Sequence, residues 1–195
     1  PRHGGIDALP AGAVIGTCSL RRACQLLHRR PDAHVRDLRG NVNTRLAKLD
    51  AGEFDAIVLA RAGMDRLGLG DRVTAQLGPD ECLPGIGQGA LGIECRVADT
   101  AVNERIAALS DPGTTTCVRA ERAVTRALGG TCLSPIAGHA TLDRDVLGLR
   151  ARVGRPDGTE LLETRVEGAA AEAEALGRAA AEDLLRRGAA RLLGR

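Results

Sequence analysis

Five arginines stand where a ligand-binding crevice would need them: Arg21, Arg22, Arg39, Arg45 and Arg66. A guanidinium grips carboxylate or phosphate through a bidentate fork and stays charged at any physiological pH. Gathered together, these five suit a ligand bearing several acids. Spread apart, they are solvated or helix-end charges, as Arg29, Arg186 and Arg187 are expected to be. A second feature is Cys132, which lies in an irregular stretch after Gly129-Gly130 and before Pro135, off any apolar helical stripe. An accessible thiol there is a nucleophile, and a nearby arginine would favour its thiolate. A buried loop cysteine is the alternative.

The remaining reactive groups form no constellation. Cys24 and Cys117 read as core residues, while Cys18, Cys82 and Cys95 fall in no pattern, and no Cys-x-x-Cys pair suggests zinc or thiol redox chemistry. His3, His28, His34 and His139 share no spacing with each other or with the cysteines, so no metal site is legible. Asp37, Asp55 and Asp65 near strand ends could be general acids, although capping and ion pairing are commoner uses. Gly87-Gln-Gly89-Ala-Leu-Gly92 fits the dinucleotide pattern GxGxxG in form only. That pattern needs a strand before it and a helix after it, whereas Leu83-Pro84-Gly85 precedes it and a strand-like Ile93-Glu94-Cys95 follows. A hinge or ligand-facing loop is the better reading.

These residues must be positioned by a packed domain or two, since the chain has 195 residues, 44% hydrophobic and 27% charged. Its net charge of +2 gives no general attraction to nucleic acid, and Phe54 is its sole aromatic, which removes the stacking platforms of single-strand binders. No apolar run approaches the roughly 20 residues of a membrane span, and Pro1 to Asp7 lacks the features of a secretion signal. A cytoplasmic monomer without membrane or nucleic-acid partners is expected.

The elements follow from periodicity. Ala13 to Gly16 reads as a strand, followed by a helix capped by Ser19 and ended near Pro31. His34 to Leu38 reads as a strand, Asn41 or Asn43 opens a helix ended by Gly52, and Phe54 to Ala60 is a third strand. This order implies parallel pairing with crossover helices, an architecture that binds ligands beyond the carboxyl ends of its strands. The Gly- and Pro-rich stretch from Gly78 to Gly92 marks a domain boundary. Beyond it, the pattern predicts a brief strand at Ile93 to Arg96, a helix at Ala101 to Leu109 and a turn at Asp111-Pro112-Gly113. A helix from Thr114 to Leu128, an antiparallel meander between Ile136 and Val166, and one closing helix from Gly168 to Leu193 complete the chain.

Four runs carry a family resemblance: IGTCSLRRACQL, LRGNVNTRLAKLDAGEFDAIVLARAGMDRLGL, LPGIGQGALGIECR and ERAVTRALGGTCLSPIAGHA. They resemble hydroxymethylbilane synthase, also called porphobilinogen deaminase, over nearly the whole chain. The resemblance implies a transferase that joins four porphobilinogen molecules head to tail with release of ammonia, on the route to haem. It implies a dipyrromethane primer held by a thioether, matching Cys132, with Thr131 standing between the glycine pair and the cysteine. Arg21, Arg22, Arg39, Arg45 and Arg66 match residues that bind acetate and propionate groups, and Thr17, Ser19 and Gln88 match further cofactor or substrate contacts.

The implied fold is α/β: a periplasmic-binding-protein-like domain with a parallel or mixed sheet at 1–83, a hinge and return segment at 84–110, and a small α+β domain with a three-stranded antiparallel sheet at 111–195. The family's catalytic aspartate belongs to an N-terminal domain of about 100 residues that is not in this sequence. The chain is therefore expected to be the C-terminal two-thirds of such an enzyme, inactive alone and with no catalytic residue of its own, and Leu91 and Ile93 are expected to be exposed. The alternative is a noncatalytic module that binds polycarboxylates or pyrroles.

Overall fold

A computed structural model describes residues 4–195, so His3 lies outside the described residues. The first unit opens with β1 (Val14–Gly16), α1 (Leu20–Arg29), β2 (His34–Arg36), α2 (Val42–Asp50), β3 (Ala56–Ile57) and α3 (Arg61–Arg66). Its strands pair in parallel in the order β2-β1-β3, with Ile15 opposite both Val35 and Ala56. β1 is therefore central: the chain leaves it for one neighbour and returns on its other side, which makes its carboxyl end a topological switch point. Ile6, Leu9, Ile15 and Leu26 form the core beneath.

Local chemistry explains these elements. The Ser19 hydroxyl accepts from the Arg22 backbone N–H at 3.4 Å, and the Asn41 side chain accepts from that of Thr44 at 2.9 Å, so each helix begins at a side-chain cap. His28 and Arg29 occupy the last turn of α1, where cations suit the helix dipole. The third strand is shorter than the apolar run Phe54 to Ala60 suggested, because only Ala56 and Ile57 find a ladder partner.

The linking segment is largely irregular until α4 (Thr100–Ala107), which Asp99 caps. Ile93 to Arg96 forms no strand, contrary to expectation, because no neighbouring strand offers it a ladder. Leu91 is 80% exposed and Ile93 57% exposed.

The second unit runs α5 (Pro112–Ala127), β4 (Ile136–Asp143), β5 (Val146–Gly154), β6 (Leu161–Ala169), α6 (Ala173–Arg186) and α7 (Ala189–Leu192). Its antiparallel sheet has the order β4-β5-β6 and packs under α5 and α6 around Val124, Leu147, Leu149, Val153 and Leu184. Two expectations are corrected here. Asp111-Pro112-Gly113 is a helix start: the Asp111 carboxylate caps the Thr114 N–H at 2.6 Å and Pro112 occupies the first turn, where no N–H is missed. The closing helix is two helices, because β6 runs on to Ala169 and Gly188 at φ +96° breaks the helical path. No described helix is long and apolar enough to cross a membrane.

Candidate functional site

The carboxyl end of β1 delivers Thr17, Cys18 and Ser19 and then the first turn of α1, with Arg21 and Arg22. Buried Thr17 acts on its own turn, its hydroxyl accepting from the Ser19 N–H at 3.2 Å. Arg21 donates to the Leu83 carbonyl at 3.0 Å and to the Gln88 side-chain oxygen at 3.2 Å. Arg22 donates to the Val58 carbonyl at 2.9 Å, and Arg45 to the Gly40 carbonyl at 2.7 Å. Burial lowers the pKa of Arg21, and the like charge of Arg22 adds to this. Burial also lowers that of Arg22, where the neighbouring Arg45 pushes in the same direction against the Cys82 and Cys18 thiols. Arg21 and Arg22 remain cations.

None of these three guanidiniums has a carboxylate partner among the described residues. Their fixed neighbours are carbonyl and amide oxygens. The contrast with the arginines expected to be surface charges is direct, since Arg29 pairs with Asp7, and Arg186 and Arg187 pair with Asp183 at 3.1 and 3.2 Å. An uncompensated cluster of half-buried cations beside a helix N-terminus is a site for an anion. Arg21, Arg22 and Gln88 line a cleft of about 870 Å³ together with Val58, Cys82 and Pro84.

The other two arginines stand apart from that cluster. The Arg39 side chain is 81% exposed and 3.3 Å from Asp37, two residues away. Arg66, in the last turn of α3, is exposed and makes no side-chain hydrogen bond among the described residues. The three aspartates near strand ends are engaged: Asp37 with Arg39, Asp65 with Arg61 at 2.6 Å, and Asp55 as acceptor from the Val14 N–H at 2.7 Å.

Cys132 is exposed, in a turn that bonds to itself. The Ser134 hydroxyl accepts from the Thr131 N–H at 3.0 Å, and the Thr131 hydroxyl accepts from the Leu133 N–H at 3.3 Å. Arg195 donates to the carbonyls of Leu128 and Gly129, fixing the end of α5 that launches this turn. Cys24 is its opposite: burial pushes that thiol up to about 12, leaving it protonated. The Cys132 turn leads directly into β4, whose Gly138 N–H donates to the Pro84 carbonyl at 3.1 Å. Pro84 lies between Leu83 and Gln88, the two residues that hold Arg21, so a short bonded path joins the thiol loop to the cation cluster.

Comparison with known families bears on both halves of this arrangement. Residues 2–104 match the model of the porphobilinogen deaminase dipyromethane cofactor binding domain, and residues 115–186 match that of the porphobilinogen deaminase C-terminal domain. The chain belongs to the porphobilinogen deaminase family. Its first unit is the part whose family model is named for dipyrromethane, and that unit holds the uncompensated arginines. The residues fit such a group, because a ligand with carboxylates on every ring supplies the counter-charge that Arg21, Arg22 and Arg45 lack. Family membership places the chain among transferases of tetrapyrrole synthesis.

Several residues that shape this cleft were missed by reading the sequence. Arg61 and Arg72 also line the cleft, each paired with an acid: Arg61 with Asp65, and Arg72 with Asp50 at 2.5 Å. Arg61 opens α3 just after the apolar run Phe54 to Ala60 and was open to the same strand-end argument as Arg21. Glu121 is buried, and its two oxygens accept from the N–H groups of Gly87 at 2.6 Å and Ala140 at 2.8 Å. Burial raises its pKa against the pull of those two donors. On the sequence Glu121 is one acid in an amphipathic helix, and nothing nearby signals its burial.

Proposed function

We propose that this chain carries the primer-holding part of hydroxymethylbilane synthase, the activity that joins four porphobilinogen molecules head to tail with release of ammonia. The observation supporting this most directly is the trio Arg21, Arg22 and Arg45, half-buried and without carboxylate partners at the switch point of a parallel sheet. In this reading the trio grips the acetate and propionate groups of the innermost rings, while exposed Arg39 and Arg66 meet the rings added later. Gln88 orients Arg21, and Thr17 and Ser19 shape the turn that presents the α1 N-terminus. Cys132 forms the thioether from its exposed turn: its sulfur bonds to the aminomethyl carbon of a porphobilinogen as that carbon's bond to nitrogen breaks, and the amine leaves as ammonia with the proton given up by the thiol. When bound, the dipyrromethane supplies a nucleophilic pyrrole carbon to which the first porphobilinogen is joined. The organisation proposed is 1–83 for the basic ligand-binding domain, 84–110 for the hinge, and 111–195 for the attachment domain.

A second reading is favoured by one observation: Asp37, Asp55 and Asp65 are all engaged, and although Asp55 lines the same cleft, none is paired with the three arginines. A proton donor for the departing amine is therefore not supplied by these three, and the 195 residues alone are expected to bind pyrrole carboxylates without turnover. Incubation with porphobilinogen followed by peptide mass analysis tests the main reading. A two-pyrrole adduct on the Cys132 peptide supports it. An unmodified Cys132 in protein that still binds pyrrole carboxylates supports the binding module instead.

A further inference from the structure

Helix α1 serves two units at once. Its first turn presents Arg21 and Arg22 to the cleft, and the next turn presses Cys24, Gln25 and His28 toward the antiparallel sheet, where a His28 ring nitrogen lies 3.0 Å from the Gly158 carbonyl. Gln25, only 3% exposed, uses its whole bonding capacity there. Its side-chain oxygen accepts from the Leu83 N–H at 2.8 Å and from Arg152 at 2.8 Å, and its amide nitrogen donates to the carbonyls of Arg21 at 3.0 Å and Leu83 at 3.1 Å.

Arg152 reaches this glutamine from β5. It is 8% exposed, and besides Gln25 it donates to Glu163 at 2.5 Å and to the Asp80 carbonyl at 3.2 Å. Glu163 is shared with Arg150 at 3.4 Å and Arg165 at 2.8 Å, and Arg150 also pairs with Asp80 at 2.6 Å. A buried arginine between two units is a poor choice for stability alone, since apolar side chains of similar volume commonly serve as well or better. Its directional donors do something an apolar contact cannot, because they are satisfied in a single relative orientation of the units.

The geometry points to Gln25 and Arg152 as positioning residues that fix the rotation of the Cys132-bearing unit relative to the cation cluster. Other direct links are the His28 ring against the Gly158 carbonyl, the Arg150–Asp80 pair, and Pro84 and Gly87 against Gly138 and Glu121, the last running along one short segment. Arg152 is the buried anchor among these links, with its donors spread over Gln25, the Asp80 carbonyl and Glu163. It acts on the cleft through a continuous path, because Gln25 and the Arg21 guanidinium both donate to the Leu83 carbonyl. The consequence for primer loading rests on the function proposed above, whereas the consequence for orientation does not.

The test uses the two exposed thiols, Cys18 at the end of β1 and Cys132 in its turn, as sites for spin labels in the full chain, with the other cysteines replaced. The unsubstituted network is expected to give one narrow distance distribution between the labels. Arg152→Met is expected to broaden it while the far-ultraviolet circular dichroism of the folded chain is unchanged. In unlabelled protein the same variant is expected to slow adduct formation at Cys132 roughly 10- to 100-fold, the scale of a reacting group displaced by about an ångström, with alkylation by iodoacetamide unchanged. Should Arg152→Met not fold, Arg152→Lys keeps the charge but loses the fork that serves three acceptors, and the same labels read it. An unchanged distance distribution in a folded variant overturns the proposal. If wild type forms no adduct, the function proposed above fails, and the label distances still decide the orientation claim.

Discussion

Replacing Arg22 with Met should separate binding from folding. Among the described residues the Arg22 side chain makes one hydrogen bond, to the Val58 carbonyl, and it is half-buried beside Arg21 and Arg45 with no paired acid to offset its charge. Losing that bond costs about 0.5–1.5 kcal/mol net, and removing an unpaired, partly desolvated cation offsets a similar amount, so stability should change by less than about 1 kcal/mol. A bound carboxylate loses a charge-assisted hydrogen bond of about 1.5–3 kcal/mol, which is about 10- to 150-fold in Kd. Urea unfolding and calorimetric titration with a synthetic dipyrromethane carboxylic acid measure the two quantities on one sample. A loss of about 3 kcal/mol or more in stability with Kd unchanged would make Arg22 a structural residue.

Three further outcomes follow from other parts of the molecule. Cys132→Ser should abolish covalent primer attachment and move the urea midpoint by no more than about 0.5 kcal/mol equivalent, because the side chain is exposed in a turn held by Thr131 and Ser134. Gly177→Ala should destabilise by about 1–3 kcal/mol in the same assay, because the new Cβ would meet the Ala120 carbonyl and lie 2.6 Å from the Ala123 Cβ where α6 crosses α5. Stability should fall in acid: the Thr164 hydroxyl and Arg187 hold Asp183 below its ordinary value of 3.8, and Arg29 holds Asp7 below it too. A lowered folded pKa means that the stabilisation is complete above about 3.8 and is lost as pH falls through the folded value, which unfolding curves collected below pH 4 will show.

The sequence was most legible where a local rule decides the structure. Ser19 and Asn41 announce α1 and α2 through short-range caps, and the strand-end argument brings Arg21 and Arg22 to the cleft because parallel topology alone puts them there. The same local rules misled at Asp111-Pro112-Gly113, where an acid followed by proline suits a turn and a helix start equally. Ile93 to Arg96 has the composition of a strand but no neighbour to pair with, so its fate was decided outside its own residues. The long Ala-rich tail hid its break because a single Gly188 inside a helical pattern is usually tolerated.

What could not be read depends on contacts between distant segments. Arg39 and Arg45 look alike on paper, yet one is exposed beside Asp37 and the other is held against the Gly40 carbonyl next to Arg22. Glu121, Arg152 and Gln25 sit on amphipathic elements among many similar polar residues. They are buried only because the two units meet over them.

A crystal structure of the chain after loading with porphobilinogen decides whether Cys132 and the arginine trio hold one and the same primer. The expected result is a dipyrromethane bonded to the Cys132 sulfur, with ring carboxylates at hydrogen-bond distance from Arg21, Arg22 and Arg45. A loaded ligand that leaves Arg21 and Arg22 facing no carboxylate, or that is attached through Cys18, would contradict it.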